Sequence, residues 1–326
     1  MAYAKEYKEG APIQPHRFRF EPLVEACYRS GPDFRLDNVD ILSGLNNLRQ
    51  ILKFVSGTDR QPFRIDIQMV GKTMMMTRWE RDLSNIARTS LCRGYGRGFE
   101  KACTQAEKKT PASTSHHRIV SYVLGDINIV AQFEADLRDC TCQSAQENRG
   151  TPTVPSQAIW AQALARMQIR CADQSASTLH VADIGVFHTR DCLLEVKSRD
   201  HKNNNTDDIM AQMWLSSCHN LYLARHVRGR FDISGVQHKN VRKDLSLWQD
   251  QHQQDIAALH SILHTIRHAI QDDRESQSEK KYALVVDREC GKSVLKLWRR
   301  NGGQEMLPIH LIERFGHTEG LDVEHH

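Results

Sequence analysis

The stretch DCLLEVKSR, Asp191 to Arg199, sets an acid and an amine two residues apart at the end of an apolar run. In a strand alternate side chains share a face, so Glu195 and Lys197 point one way while Val196 points the other, toward a core. Taken alone, such a pair is more often an ordinary same-face ion pair than a piece of chemistry. What lies around it in the chain gives it weight.

Three other pieces share its character. SLCRGYGRGFEKACTQ, 90–105, sets glycines 94, 96 and 98 ahead of a short helical stretch carrying Glu100. RIVSYVLGDINIVAQFEADLRD, 118–139, reads as two strands turning at Gly125-Asp126, the second ending in Glu134-x-Asp136. After the turn-rich HKNNNTDD, IMAQMWLSSC reads as a helix carrying Gln212. If each x-separated pair turns both polar groups to one sheet face, two adjacent strands gather three carboxylates and an ammonium in one cleft. Carboxylates so grouped can hold Mg2+ or Mn2+, which polarises a phosphodiester and lowers the pKa of a bound water. A neighbouring lysine can orient that water or offset charge in the transition state. With its pKa lowered by burial, Lys197 could instead serve as a base.

The remaining segments supply a scaffold. NVDILSGLNNLRQILKFVSG, 38–57, places Ile41, Leu45, Leu48, Ile51, Leu52 and Val55 at helical spacing and predicts one helix ending at Gly57. FRIDIQMVG and KTMMMTRWE predict a strand pair hinged near Gly71, with the three methionines filling core. NLYLARHVRGRF predicts a strand ending in a basic cluster, and 244–270 a single long amphipathic helix whose histidines 252, 260, 264 and 268 sit mostly off its apolar stripe. KYALVVD and SVLKLWR predict a terminal hairpin. A helix is expected around Ile159 to Ile169, within an insertion over 139–190. The domain plan is an arm over 1–20, one catalytic domain over 21–318 and a flexible tail over 319–326.

Composition limits the classes available. No apolar run approaches the roughly 18 residues that span a bilayer, and MAYAKEYKEG lacks a signal-peptide core, so a cytoplasmic protein is expected. Nine cysteines without a C-x-x-C pair argue against a disulfide framework. Cys140-Thr-Cys142 and His188-x3-Cys192 have no compelling zinc spacing. The formal charge of +4 is too slight to announce a nucleic-acid binder, so any such surface must come from local clustering.

The elements GYGRGFE, FEAD, LEVKSR and MAQMWL together resemble the decapping exonuclease (DXO) family of PD-(D/E)xK nucleases. The resemblance covers roughly residues 90–240. It implies an α+β fold with a mixed, largely antiparallel central sheet flanked by helices. Glu100, Glu134, Asp136, Glu195, Lys197 and Gln212 take the positions of the family's site, and Arg78 that of its upstream arginine. Mg2+ or Mn2+ on Glu134, Asp136 and Glu195, and RNA decapping or 5'-3' exonuclease activity, follow from the same likeness. The insertion between Asp136 and Glu195 departs from the family.

A second resemblance covers more of the chain. NVDILSGLNNLRQILKFV, GYGRGFEKACT, SHHRIVSYVLGDINIVAQFEAD and LLEVKSR look like a fungal group often labelled prenyl-diphosphate synthases. That label does not fit, because those enzymes are all-helical with two aspartate-rich motifs and this chain offers only Asp272-Asp273-Arg274-Glu275. The group is similar to the arginine-containing cyclodipeptide synthases, which join two aminoacyl-tRNAs. On this likeness the first expectation is ester aminolysis between arginyl-tRNA and a second aminoacyl-tRNA, without a cofactor; the metal-dependent RNA hydrolase is the alternative. Cleft acids would then grip the arginyl guanidinium, and His116 or His117, just before a strand, would deprotonate the attacking amine. Either way RNA must reach the cleft. Arg93, Arg97, Lys101, Lys108, Lys109, Arg118, Arg225, Arg228, Arg230 and Lys239 are the cations available to track its backbone.

Overall fold

The computed structural model describes residues 2–6, 16–31, 34–58, 61–79, 95–105, 113–139, 179, 181, 189–273, 280–289 and 292–316. Twelve described strands form two sheets. The larger contains β1 (Ala2–Glu6), β2 (Ile41–Gly44), β3 (Phe63–Val70), β4 (Thr73–Arg78), β5 (Ser113–Leu124), β6 (Ile127–Glu134), β11 (Lys281–Glu289) and β12 (Lys292–Arg299), in the order β1-β5-β6-β2-β4-β3-β11-β12. The smaller, ordered β10-β9-β8-β7, contains β7 (Leu137–Arg138), β8 (Leu193–Asp200), β9 (Asn220–Val227) and β10 (Arg230–Asn240). Pairing is antiparallel except where β2 lies parallel to β4 and β6, and β8 to β9. This is the mixed, largely antiparallel α+β architecture that the sequence implies.

The middle of the large sheet is apolar on both faces. Met74, Met75 and Met76 are fully buried in succession, which a strand allows only if both sides are covered. Met74 and Met76 join a core formed with α2 (Leu45–Val55), α4 (Asp207–Ser216) and α6 (Gln253–Gln271). Met75 faces the other core, built with α1 (Glu21–Ser30) and α7 (Ile309–Gly316). The methionines are core filling, as expected. The hairpin at Gly71 (φ 55°) and the β5–β6 turn at Gly125 (φ 64°) fall where the glycines placed them.

Three expectations are corrected. Ile41 and Leu42 are strand residues, not the first turn of a helix. They are buried in opposite cores, and Ile41 pairs with both Met74 and Ile129. The spacing from Ile41 to Leu45 mimics a helix across a strand-to-helix junction at Gly44. The long helix is two, α5 (Arg242–Gln251) and α6, broken at His252. There the imidazole stacks on Trp248, with ring centroids 4.4 Å apart, and faces Asp207 at 3.2 Å. The break lets Trp248 meet α4 while α6 lays Leu259, Leu263, Ile266 and Ile270 on the large core. Finally, NLYLARHVRGRF is not one strand but β9, a turn at Arg228-Gly229 and the start of β10.

The chain passes from one sheet to the other between β6 and β7. β6 belongs to the large sheet and ends at Glu134; β7, beginning at Leu137, belongs to the small one. Asp136 therefore stands at the crossing point. α4 links parallel β8 and β9, and packs Ile209 and Met213 on Leu221 and Leu223. The expected helix near Ile159 to Ile169 and most of the 139–190 segment lie outside the described residues. Among the described residues no helix is long and apolar enough to cross a membrane.

Candidate active site

β8 places Glu195 in the interior, 2% exposed, with Leu193, Leu194 and Val196 buried around it. A carboxylate so far from water needs partners. Gln212 Nε2, from the middle of α4, donates to Glu195 Oε1 at 2.6 Å. The Lys197 ammonium forms an ion pair with the same oxygen. Asp136 completes the group from the sheet junction: its Oδ2 accepts the Val196 backbone N–H at 2.9 Å and lies 3.5 Å from Lys197 Nζ. The alternation that puts Glu195 and Lys197 on one face thus aims both at Asp136.

Two carboxylates share one ammonium here. Burial pushes the Glu195 carboxyl up to about 7; Lys197 pulls it down, and the nearby Asp136 carboxylate pushes it back up. Burial also opposes the charge on Lys197, but Glu195 and Asp136 outweigh it and hold the ammonium above its ordinary range. The two carboxylates thus favour the ammonium form of Lys197, against the lowered pKa expected of a base.

Sequence reasoning missed Arg49. Its Nη1 donates to Gln212 Oε1, so the Gln212 amide bridges a guanidinium and a carboxylate. Burial lowers the Arg49 pKa, Asp208 and Glu195 raise it, and Arg199 and Arg78 lower it further, which locates all five charges in one neighbourhood. Asp208 sits one helical turn before Gln212 on α4, so the two share a face, and Arg199 Nη2 contacts both Asp208 oxygens at 2.6 Å. Arg78 ends β4, exposed. The signal for Arg49 in the sequence was faint: one cation beside the apolar stripe of a helix, 163 residues before its partner.

Other expected residues are placed differently. Glu134 is the exposed last residue of β6, directly opposite His117. Glu100 lies on α3 (Gly96–Cys103), whose Phe99 packs against Val196, on the face of β8 opposite Glu195. Among the described residues no set of three or more His, Cys, Asp or Glu side chains converges as a metal site. The hydrogen bonds and ion pairs described above join two carboxylates of the expected cluster to one ammonium. His116 and His117 lie within β5 rather than before it, and as neighbours in a strand they face opposite ways. His117 Nε2 meets Ser115 Oγ at 3.2 Å.

The expected RNA-facing cations also divide. Arg118 is buried rather than a surface cation, and Arg225 donates to the Asn203 carbonyl at 2.8 Å. Arg228, Arg230 and Lys239 are exposed. Arg93, Lys108, Lys109 and the side chains of Arg97 and Lys101 lie outside the described residues, as do Cys140, Cys142 and His188. Cys27, Cys192 and Cys218 are free and buried, and Cys103 is free and exposed.

Residues 5–315 match the model of the family described as Domain of unknown function (DUF8563). The chain belongs to this family. No curated protein matches the sequence of this DUF8563 chain. Solved structures do match it. S. pombe Rai1 in complex with 3'-FADP superimposes with a TM-score of 0.55 at 13% identity, covering 92% of this chain and 87% of that one. Candida albicans Rai1 in complex with pU5-Mn2+ gives 0.56 at 11%, over 91% and 80%. Scheffersomyces stipitis Rai1 in complex with (3'-NADP)+ and calcium ion gives 0.55 at 12%, over 91% and 80%. At these identities the likeness is one of fold, and it gives this DUF8563 chain the DXO/Rai1 nuclease-like architecture.

Proposed function

We propose that this chain is a divalent-metal-dependent hydrolase of RNA 5' ends, removing a cap or successive nucleotides. The observation that carries the reading is the joining of Asp136, Glu195, Lys197 and Gln212 by hydrogen bonds and ion pairs at the sheet junction. The fold neighbours add support: one Rai1 is in complex with pU5-Mn2+ and another with (3'-NADP)+ and calcium. This ordering reverses the one the sequence favoured, where the synthase came first.

The donor set fits a hard cation. Asp136 and Glu195 bring oxygen ligands together with one ammonium for two carboxylates, which leaves a net negative charge once Glu195 loses its proton near neutral pH. Mg2+ commonly takes one or two carboxylates and completes its shell with water and substrate phosphate. Asp136 and Glu195 would hold the ion, with Glu134 as the further acid of the sequence motif. The ion would polarise the phosphodiester and lower the pKa of a bound water. Gln212 fixes the Glu195 carboxylate, and Arg49 in turn fixes Gln212. Lys197 contributes a charge that persists through the reaction and can offset the developing phosphorane charge.

A second reading is favoured by one feature. The carboxylate pair already accepts a nitrogen cation from Lys197, and a guanidinium presented by arginyl-tRNA has the same charge and richer donor geometry. In that reading the chain is an arginine-specific cyclodipeptide synthase needing no metal, with His116 or His117 as base.

One experiment separates them. Purified protein is incubated with 5'-monophosphate and capped RNA in Mn2+ or Mg2+, and in parallel with charged total tRNA in EDTA. The proposal expects metal-dependent RNA shortening or cap release, lost in Glu195→Ala and Asp136→Ala. Intact RNA in both metals, with a cyclo-arginyl dipeptide detected by mass spectrometry, would establish the synthase instead.

A further inference from the structure

The outer face of the small sheet carries an aromatic group that the proposed chemistry does not use. Tyr95, immediately before α3, is 49% exposed. Its ring meets His226 edge-on at 4.9 Å, His226 meets Phe231 at 5.1 Å, and Phe231 stacks on Phe99 at 4.6 Å. Tyr95 is thus braced from beneath while much of its ring stays open to solvent.

The β9–β10 turn beside it is built around this ring. Gly229 has φ +81°, and a Cβ there would lie 2.3 Å from the Tyr95 ring, so no side chain fits between them. Arg228 holds φ 50°, a left-handed conformation that disfavours arginine and suits asparagine. Arg228 and Arg230, both exposed, flank the glycine and add two cations to the rim. Asp200, the residue of β8 across from His226, is engaged by the Lys202 amide at 3.0 Å and by His201 at 3.3 Å. The turn thus sets an exposed arginine in a left-handed conformation beside an open aromatic ring.

We infer that Tyr95, with Arg228 and Arg230, is a docking shelf for single-stranded RNA, where a nucleobase stacks on the ring and the arginines hold flanking phosphates. It stands apart from the carboxylates. Asp200, level with His226, is five residues beyond Glu195, roughly 17 Å along the strand. The shelf therefore grips the body of the RNA rather than its reacting end. This inference rests on RNA being the substrate.

Fluorescence anisotropy of a labelled 5'-phosphorylated uridine decamer, titrated with the full chain in EDTA, reads binding without turnover. Tyr95→Ala is expected to weaken binding about tenfold, and Tyr95→Phe to retain it within about twofold. Arg228→Asn, which suits the turn and removes only the charge, should weaken binding and reduce the salt slope by about one. A decamer with abasic sites should bind Tyr95→Ala and wild type alike. Wild-type binding unchanged in both Tyr95→Ala and Arg228→Asn would overturn the shelf and leave the RNA reading intact. Failure of the wild type to bind any RNA would overturn both.

Discussion

β4 and β8 are both buried strands, and they are buried for opposite reasons. β4 fills its interior positions with Met74, Met75 and Met76, each fully enclosed and asking nothing of its neighbours but volume. The neutral polar side chains beside it serve mainly the backbone: Asn47 Nδ2 donates to the Met76 carbonyl at 2.8 Å and to Ser43 Oγ at 3.2 Å, and Ser43 Oγ donates to the Gly44 carbonyl at 3.0 Å. β8 is as deeply enclosed from Leu193 to Val196 yet carries Glu195 in the middle, tied to Lys197, Gln212 and Asp136 from three parts of the chain. Burial alone does not separate a core from a site. What distinguishes β8 from β4 is that its buried polar groups hold one another's charge, whereas those beside the three methionines serve the backbone.

Four experiments probe this contrast, three substitutions in order of decreasing effect and then a pH dependence. In the apolar region, Leu48→Ala should cost about 2–5 kcal/mol of stability, because the fully enclosed side chain leaves a cavity between helix and sheet. Urea midpoints measure this, and a loss below about 1 kcal/mol would mean the core is looser than described. In the polar region, Glu195→Gln should lower the rate of RNA shortening roughly 10²–10³-fold while moving the thermal midpoint little, since an amide fills the same space. Parallel loss of stability and activity would make Glu195 a structural residue.

Arg49→Ala should reduce kcat/KM about tenfold, the effect expected when a charged hydrogen bond positioning Gln212 is lost. Unchanged kinetics would remove Arg49 from the site. The fourth test is a pH dependence. Burial raises the Glu195 carboxyl from its ordinary 4.5 to about 7, so its contribution to stability is present below about 4.5 and lost as pH rises through about 7. In EDTA, the thermal midpoint of wild type relative to Glu195→Gln should fall across that window. A relative rise would contradict the assignment.

The contrast also explains what could be read from the sequence. Glu195, Lys197 and Gln212 were legible because strand alternation and helix placement are local rules, and the fold followed from the same motifs. Ile41 was misread because a strand running directly into α2 reproduces helical spacing across the junction. The break at His252 was missed, and 244–270 read as one helix, because the stacking of His252 on Trp248 is a tertiary fact. Arg49 and the grip of Asp136 on the Val196 amide were out of reach. They join residues 163 and 60 positions apart, and no local pattern records which polar side chain crosses that distance. The same limit applies to Glu134 and Glu100, whose motif positions do not fix where their helix and strand ends point.

The central claim is that Asp136 and Glu195 form a divalent-cation site with Lys197 as its resident charge. Titration of Mn2+ into the apo protein at pH 7.5, followed by the loss of the free-ion paramagnetic resonance signal, tests it most directly. The account predicts saturable binding by the wild type that Glu195→Gln weakens at least tenfold and Asp136→Asn abolishes. Equal binding by all three proteins, or none by the wild type even with RNA present, would contradict it.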